Sequence, residues 1–135
     1  IFFNAFDDYG TNEHGKVRRA FIARYRLEKI LPEAELSPPV KPIVFYISQE
    51  VPDKWRPYIK KGVEDWQPLL EKAGFSRAIL ATDAPTEQEN PDWDPEDVRY
   101  SVIRWTPSGR QNAMGPAVVD PRSGEILDAA SNWPA

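Results

Sequence analysis

The feature that most constrains the fold is a strand–helix–strand succession between Ile43 and Thr82. The run "IVFYIS" is nearly all apolar and rich in β-branched and aromatic residues, which is typical of a strand covered on both faces. A long amphipathic segment follows, and "RAILAT" then predicts a second covered strand. Two strands joined through a helix form a βαβ unit, in which the strands run parallel. The sequence therefore predicts an α/β domain.

The amphipathic segment predicts one long helix from about Asp53 to Ala73. Apolar residues recur at steps of three and four positions and form one stripe, made of Trp55, Tyr58, Ile59, Val63, Trp66, Leu70 and Ala73. Asp53 is the expected N-cap, and Gly74 is expected to end the helix. Pro68 removes one backbone hydrogen bond, so we expect a kink near Gln67. The residues expected to face the sheet are Trp55, Ile59, Val63 and Trp66.

Three further segments complete the predicted architecture. Alternation of apolar and polar residues predicts strands at Ala20–Leu27 and at Arg99–Thr106, and the Ala and Arg content of the first segment leaves a helix as its alternative. The stretch "GPAVVDPRSGEIL", Gly115–Leu127, predicts a hairpin whose turn contains Pro121 and a Gly124 that can adopt a positive φ. We therefore expect a twisted mixed sheet of four to five strands with one main helix on one face.

Composition excludes several classes of function. A net charge of −4 gives no support to nucleic-acid binding as the main role. No apolar run approaches the roughly 20 residues of a membrane-spanning helix. With no cysteine and only His14, which lies in a polar turn-rich stretch, the chain alone cannot form a zinc site of the usual kind. We expect His14 to be a solvated loop residue.

Two other groups of residues have both a functional and a structural interpretation. The acidic loop Asp92–Asp97, "DWDPED", offers oxygen ligands for calcium but lacks the EF-hand pattern. The alternative is that Asp94 caps a short turn opened by Pro95. The five tryptophans could form a sugar-binding platform, but their places on the helix stripe and on a strand favour packing in the core.

The strand from Gly115 to Val119 is the candidate binding element. Gly115 and Pro116 interrupt backbone pairing, as is typical of an edge strand. An edge strand can bind an extended peptide by adding it to the sheet, so the candidate substrate-binding residues are Gly115, Ala117, Val118 and Val119. Edge strands are common in open sheets, and the alternative is a purely structural hairpin.

The order of strand, helix, strand, strand and edge hairpin resembles the upper subdomain of metzincin-type zinc peptidases. From about Tyr25 to Leu127 the chain is similar to a bacterial family of met-zincin-like zinc metalloproteases. The stretches "DVRYSVIRW" and "VDPRSGEIL" are the most specific to this similarity. Pro68 within the helix is a departure from the family pattern and puts the straightness of that helix in doubt.

The resemblance implies a division of the chain and a role for its edge strand. Residues 1–30 would be the end of a preceding amino-terminal domain or a leading strand. Residues 31–135 would be the upper subdomain of a catalytic domain, truncated before the H-E-x-x-H helix that supplies zinc ligands and a general base. Zinc is thus expected in the full-length protein, whereas this chain carries no catalytic or metal residue.

By the same resemblance, Gly115–Val119 would form the upper rim of the cleft and bind the backbone of a peptide or protein substrate. The parent protein is expected to be extracytoplasmic, either periplasmic or secreted. Without its other half the rim is uncovered, so we expect that copies of the chain can pair edge to edge. A different class of function is a non-catalytic module that binds protein or carbohydrate through the hairpin and the tryptophans.

Overall fold

The computed structural model describes residues 3–8, 17–106 and 113–134, and the prediction for His14 lies outside them. The protein has the α/β fold that the sequence predicts. Its elements in chain order are β1 Phe3–Asp8, β2 Val17–Ile22, β3 Ile43–Ile47, α1 Arg56–Glu64, α2 Gln67–Lys72, β4 Ile79–Asp83, β5 Ser101–Thr106, β6 Ala117–Val119, β7 Ile126–Ala129 and β8 Ser131–Pro134.

The main sheet has four strands in the order β4-β3-β5-β8, and every neighbouring pair is parallel. The predicted βαβ unit is confirmed, since Ile43 lies opposite Ile79 in the β3–β4 register. The main sheet is thus parallel and not mixed as we expected, because antiparallel pairing occurs in two separate two-stranded sheets, β1 with β2 and β6 with β7. Short connections join the strands of each antiparallel pair, while the parallel strands need longer crossovers.

The predicted single helix is instead two short helices in succession. Asp65 and Trp66 separate the two helices, and α2 begins directly after them. Pro68 lies in the first turn of α2, where its missing N–H would have had no helical partner. The proline therefore starts a new helix where we expected a kink.

Only the C-terminal end of the helical segment matches the prediction. Asp53 is not the N-cap: Trp55 occupies that position and provides no side-chain capping bond. At the other end Gly74 has φ +91°, and the N–H groups of Gly74 and Phe75 donate to the carbonyls of Glu71 and Leu70. This pair of bonds is the Schellman motif, which needs a residue with positive φ and so favours glycine.

The remaining strands are confirmed with shifted bounds. The first predicted strand lies earlier in the chain, at Val17–Ile22, because it pairs with β1 along its whole length. After β2 the chain pairs with the β6–β7 hairpin: the Arg24 N–H donates to the Gly124 carbonyl, and the Ile126 N–H donates to the Arg24 carbonyl. Strand β4 was expected to be covered on both faces, but Leu80 is exposed because β4 lies at the edge of the sheet.

Candidate functional site

A large open groove lies on the helix side of the main sheet and is here called the helix-side groove. It has a volume of about 1110 Å³. The sheet residues Phe45, Ile103 and Trp105 line it together with the helical residues Ile59 and Val63. At the far end it reaches Gly115 and the segment from Ala129 to Ser131. The groove is therefore an apolar surface that runs from the helices to the start of the hairpin.

The groove is open because the helices lie towards one side of the sheet. Helix α1 lies closest to the edge strand β4, while the other half of the same face, formed by β5 and β8, has less cover. The side chains of Trp55 and Trp66 are 41% and 60% exposed. The expectation that these two tryptophans pack in the core is thus wrong, although both line the groove. The stripe is apolar as predicted, but the sheet covers only part of it.

The predicted edge strand lies near β8, the last strand of the main sheet in its order among the described residues. Before β6 begins, Met114 forms an antiparallel bridge with Asn132 of β8, with N···O distances of 3.1 and 2.8 Å between their backbones. Gly115 follows directly, and a Cβ placed on it would lie 3.8 Å from the Ala130 carbonyl oxygen. The chain thus passes from the sheet edge to the end of the groove and then enters the hairpin.

Within the described ranges β6 pairs with one strand, β7. Val118 lies opposite Asp128, and a bulge follows between Val118 and Val119. The Val118 side chain is 49% exposed. The hairpin turn has Gly124 at φ +78°, as the sequence predicts, and a Cβ there would collide with the Ile22 carbonyl oxygen. The four candidate substrate-binding residues are therefore close together, with Gly115 in the groove and Ala117, Val118 and Val119 on β6.

A small polar cluster joins the hairpin to the main sheet. Ser101, at the start of β5, accepts a hydrogen bond of 3.1 Å from the Ala129 N–H, and its hydroxyl donates to the Asp128 carboxylate. Burial raises the pKa of Asp128. Burial, with a contribution from the charge of Asp128, also raises the pKa of Tyr25 to about 12. No local sequence pattern indicates this cluster, because its members are far apart along the chain.

The acidic loop has the structural role that was the alternative to calcium binding. The Glu96 N–H donates to the Asp94 carboxylate at 2.8 Å, so Asp94 caps the turn. Glu96 forms an ion pair with Arg104 and Asp97 forms one with Arg99, both at 2.6 Å. Across the part of the chain that the structure describes, no three or more His, Cys, Asp or Glu residues are grouped so that they could hold a metal ion.

The same loop covers the face of the sheet opposite the groove. Trp93 from the loop packs on Tyr46 of β3 and on Tyr100, with ring centroids 4.9 and 4.5 Å apart, and the three rings are here called the loop-side cluster. Val102, which points to this face, is buried. Sequence reasoning missed this cover, and the one available signal was a tryptophan within an otherwise polar loop.

Comparison of the chain with protein-family models, with curated proteins and with solved structures found no match to any of them. None of the helices in the described residues combines the length and the apolar character needed to cross a membrane.

Proposed function

We propose that this chain is the substrate-binding upper half of a zinc-dependent metallopeptidase. The observation that carries the proposal is the pairing of β6, which among the described residues has a partner strand on one side, beside the open helix-side groove. Together they provide a strand edge that a peptide can extend and an apolar surface that a second structural unit can cover. The resemblance to the met-zincin-like family gives each of these features a use.

The role proposed for the edge is to hold substrate by backbone pairing. An extended peptide that lies antiparallel to β6 can form main-chain hydrogen bonds with alternate residues of Ala117–Val119. Pro116 has no N–H, so the usable donors begin at Ala117. The bulge after Val118 limits the regular register to a few residues. Such binding depends little on the sequence of the peptide, as suits a cleft that receives many substrates.

The zinc chemistry of the proposed enzyme belongs to the other half. The described residues of this chain form no zinc site, so no step of the reaction is assigned to them. The part proposed for this chain is to fix the backbone of the substrate, while the helix-side groove receives the apolar face of the half that carries the H-E-x-x-H helix. Exposed groove residues such as Trp66 and Leu69 would be covered in the parent protein.

Backbone pairing can be tested without altering the protein. The probe is the peptide Lys-Thr-Val-Thr-Val-Thr-Lys, with binding followed by the amide NMR shifts of the hairpin. N-methylation of the peptide amides that face β6 should weaken binding at least about tenfold, because each lost backbone hydrogen bond contributes about 1 kcal/mol. N-methylation of the intervening amides is the matched control and should change little. Equal effects of the two methylation patterns would contradict strand addition.

A second test uses the parent protein and the residue at the centre of the edge. Val118→Pro removes a backbone N–H from β6 and should lower the rate of casein cleavage, while the bound zinc measured by elemental analysis stays the same. Val118→Thr keeps the N–H and the branched shape and should retain cleavage. A parent sequence without an H-E-x-x-H motif would rule out the peptidase.

A non-catalytic binding module is the second candidate, and the exposed tryptophans favour it. Trp55 lies in the helix-side groove with Tyr58 beside it, the ring centroids 6.0 Å apart, and Lys54 4.8 Å from its ring. Exposed aromatic faces of this kind can stack on sugar rings or on apolar side chains of a protein. Titration with soluble oligosaccharides, followed by tryptophan fluorescence in the wild type and in Trp66→Ala, distinguishes the two candidates. Saturable binding that the variant loses would favour the module.

A further inference from the structure

We infer that Ser101 and Asp128 are positioning residues that hold β6 against the main sheet, and that they hold it most firmly when Asp128 is uncharged. The inference rests on the proposed function only in calling β6 a substrate-binding strand. It goes beyond that function because it assigns a positioning role and a pH dependence to two residues outside the edge itself.

Asp128 is directly linked to the candidate binding strand. It lies on β7 opposite Val118, the centre of that strand. Strand β7 is the partner of β6 in the part of the chain that the structure describes. Any movement of Asp128 relative to the sheet is therefore passed to Val118 through the backbone ladder.

Ser101 attaches the segment around Asp128 to the main sheet. Ser101 is buried at the start of β5, and its register with Phe45 of β3 places it in the central pair of strands. Its hydroxyl donates to Asp128 and its oxygen accepts from the Ala129 N–H. One serine thus bonds two successive residues of β7. This is a direct polar connection between the hairpin and the most buried part of the main sheet.

Burial decides which protonation state of Asp128 is favoured, because it raises the pKa of Asp128 more than the hydrogen bond with Ser101 lowers it. The Oδ1 atom of Asp128 is buried and has no hydrogen-bond partner among the described residues. A buried charged oxygen without a partner is costly, whereas a protonated acid removes the charge. The titratable groups that face Asp128 from neighbouring segments are Tyr25 and Glu96, and neither supplies a positive charge. Glu96 is itself paired with Arg104.

The sign of the pH dependence follows from the raised pKa of Asp128. A pKa that is higher in the folded hairpin than its ordinary value of 3.8 means that folding favours the protonated form. Stabilisation by the neutral acid is therefore complete below that ordinary value and is lost as the pH rises through the folded value. The hairpin should be held more firmly at mildly acidic pH than at neutral pH.

The test is amide hydrogen exchange of the hairpin, corrected for intrinsic exchange rates, across the acidic to neutral range and without any peptide. Ser101→Ala should speed exchange at Val118 and Asp128 about tenfold, because it removes bonds to two residues of β7. Ser101→Thr keeps the hydroxyl and should restore slow exchange. Exchange in β3 should stay unchanged in both variants, which separates local loosening from a loss of global stability.

Asp128→Asn tests the pH dependence, since its amide is neutral at every pH. It should abolish the gain in hairpin protection towards acidic pH. The matched control is Asp120→Asn in the turn of the same hairpin, where the hydrogen bond with Arg122 lowers the pKa of Asp120 and so gives a pH dependence of opposite sign; that variant should keep the gain in β6 protection towards acidic pH. A pH profile that survives Asp128→Asn, or hairpin exchange that Ser101→Ala leaves unchanged, would overturn the inference.

These outcomes differ from a failure of the proposed function. If hairpin exchange responds as expected but the wild type does not bind the Lys-Thr-Val-Thr-Val-Thr-Lys peptide, the positioning role stands and the substrate-binding strand is wrong. If the peptide binds and Ser101→Ala alters neither exchange nor binding, the edge strand stands and the positioning role is wrong.

Discussion

The two faces of the main sheet are covered in opposite ways. On one face an acidic, proline-rich loop places Trp93 against Tyr46 and Tyr100 and leaves Val102 buried. On the other face two amphipathic helices leave a groove of about 1110 Å³, with Trp66 60% exposed. The segment with the stronger apolar pattern thus gives the less complete cover. An apolar stripe indicates which side of a helix avoids water, but its partner depends on where the helix lies on the sheet.

The largest expected effect tests this contrast between the faces. Trp93→Ala should lower the free energy of unfolding by about 3 kcal/mol, because it empties the centre of the loop-side cluster. Trp66→Ala should cost less than about 1 kcal/mol, because most of that ring is already in water. Urea unfolding of both variants measures the difference. Equal costs would mean that Trp66 is buried in solution and that the groove is closed.

The next largest loss of stability is expected at the C-terminal end of α2. Gly74→Ala should cost about 2 kcal/mol, because a side chain at φ +91° is strained and its Cβ would lie 2.9 Å from the Glu35 carbonyl oxygen. The strain would fall on the junction between α2 and the rest of the chain, and hence on the position of the helices over the sheet. Thermal unfolding gives the size of the effect, and an unchanged melting temperature would contradict the Schellman geometry.

Gly62→Ala is the matched control on the same face and sharpens the comparison. Gly62 lies in α1 and lines the helix-side groove, and a Cβ there has no atom within 4 Å. Alanine should therefore raise stability by about 0.5–1 kcal/mol through helix propensity alone. A loss of stability at this position would show that something packs closely against Gly62 in the isolated chain.

Much of the fold could be predicted because its signals are local. The apolar run Ile43–Ser48 and the alternation in Arg99–Thr106 indicate β3 and β5 to within two residues. Gly74 and Gly124 both adopt the positive φ that their places in the sequence suggested. The two short helices were missed because a proline inside a stripe is compatible with a kink or with a new helix start.

The rest of the site could not be predicted, since it depends on contacts between distant segments. The hairpin and its edge are visible as a turn between two short apolar runs. The attachment of that hairpin through Ser101 and Asp128 has no local pattern, because it depends on how β7 lies against β5. The loop-side cluster was missed for the same reason, since a loop with so many carboxylates is ordinarily exposed to solvent.

The smallest effect concerns the ion pairs that fix α1 beside the edge strand. Asp83, at the end of β4, accepts hydrogen bonds from Lys60 at 2.6 Å and from Arg56 at 3.0 Å. The hydrogen bond from Lys60 is the largest contribution and lowers the pKa of Asp83; burial, the next largest, raises it, and the bond from Arg56 lowers it further, so that the pKa is below its ordinary value. Because the Asp83 side chain is 52% exposed, water screens these pairs, and Asp83→Asn should cost no more than about 1 kcal/mol.

The small cost of Asp83→Asn should depend on pH and on salt, unlike the cost of Trp93→Ala on the other face. Because the folded pKa of Asp83 is below its ordinary value of 3.8, the pairs contribute fully above that value and are lost as the pH falls through the folded pKa. The cost of Asp83→Asn should therefore vanish in strong acid and should shrink in high salt at neutral pH. The cost of Trp93→Ala, a packing effect, should not depend on salt. A salt-independent cost for Asp83→Asn would mean that its contacts with α1 are packed and that the helix side is as closed as the loop side.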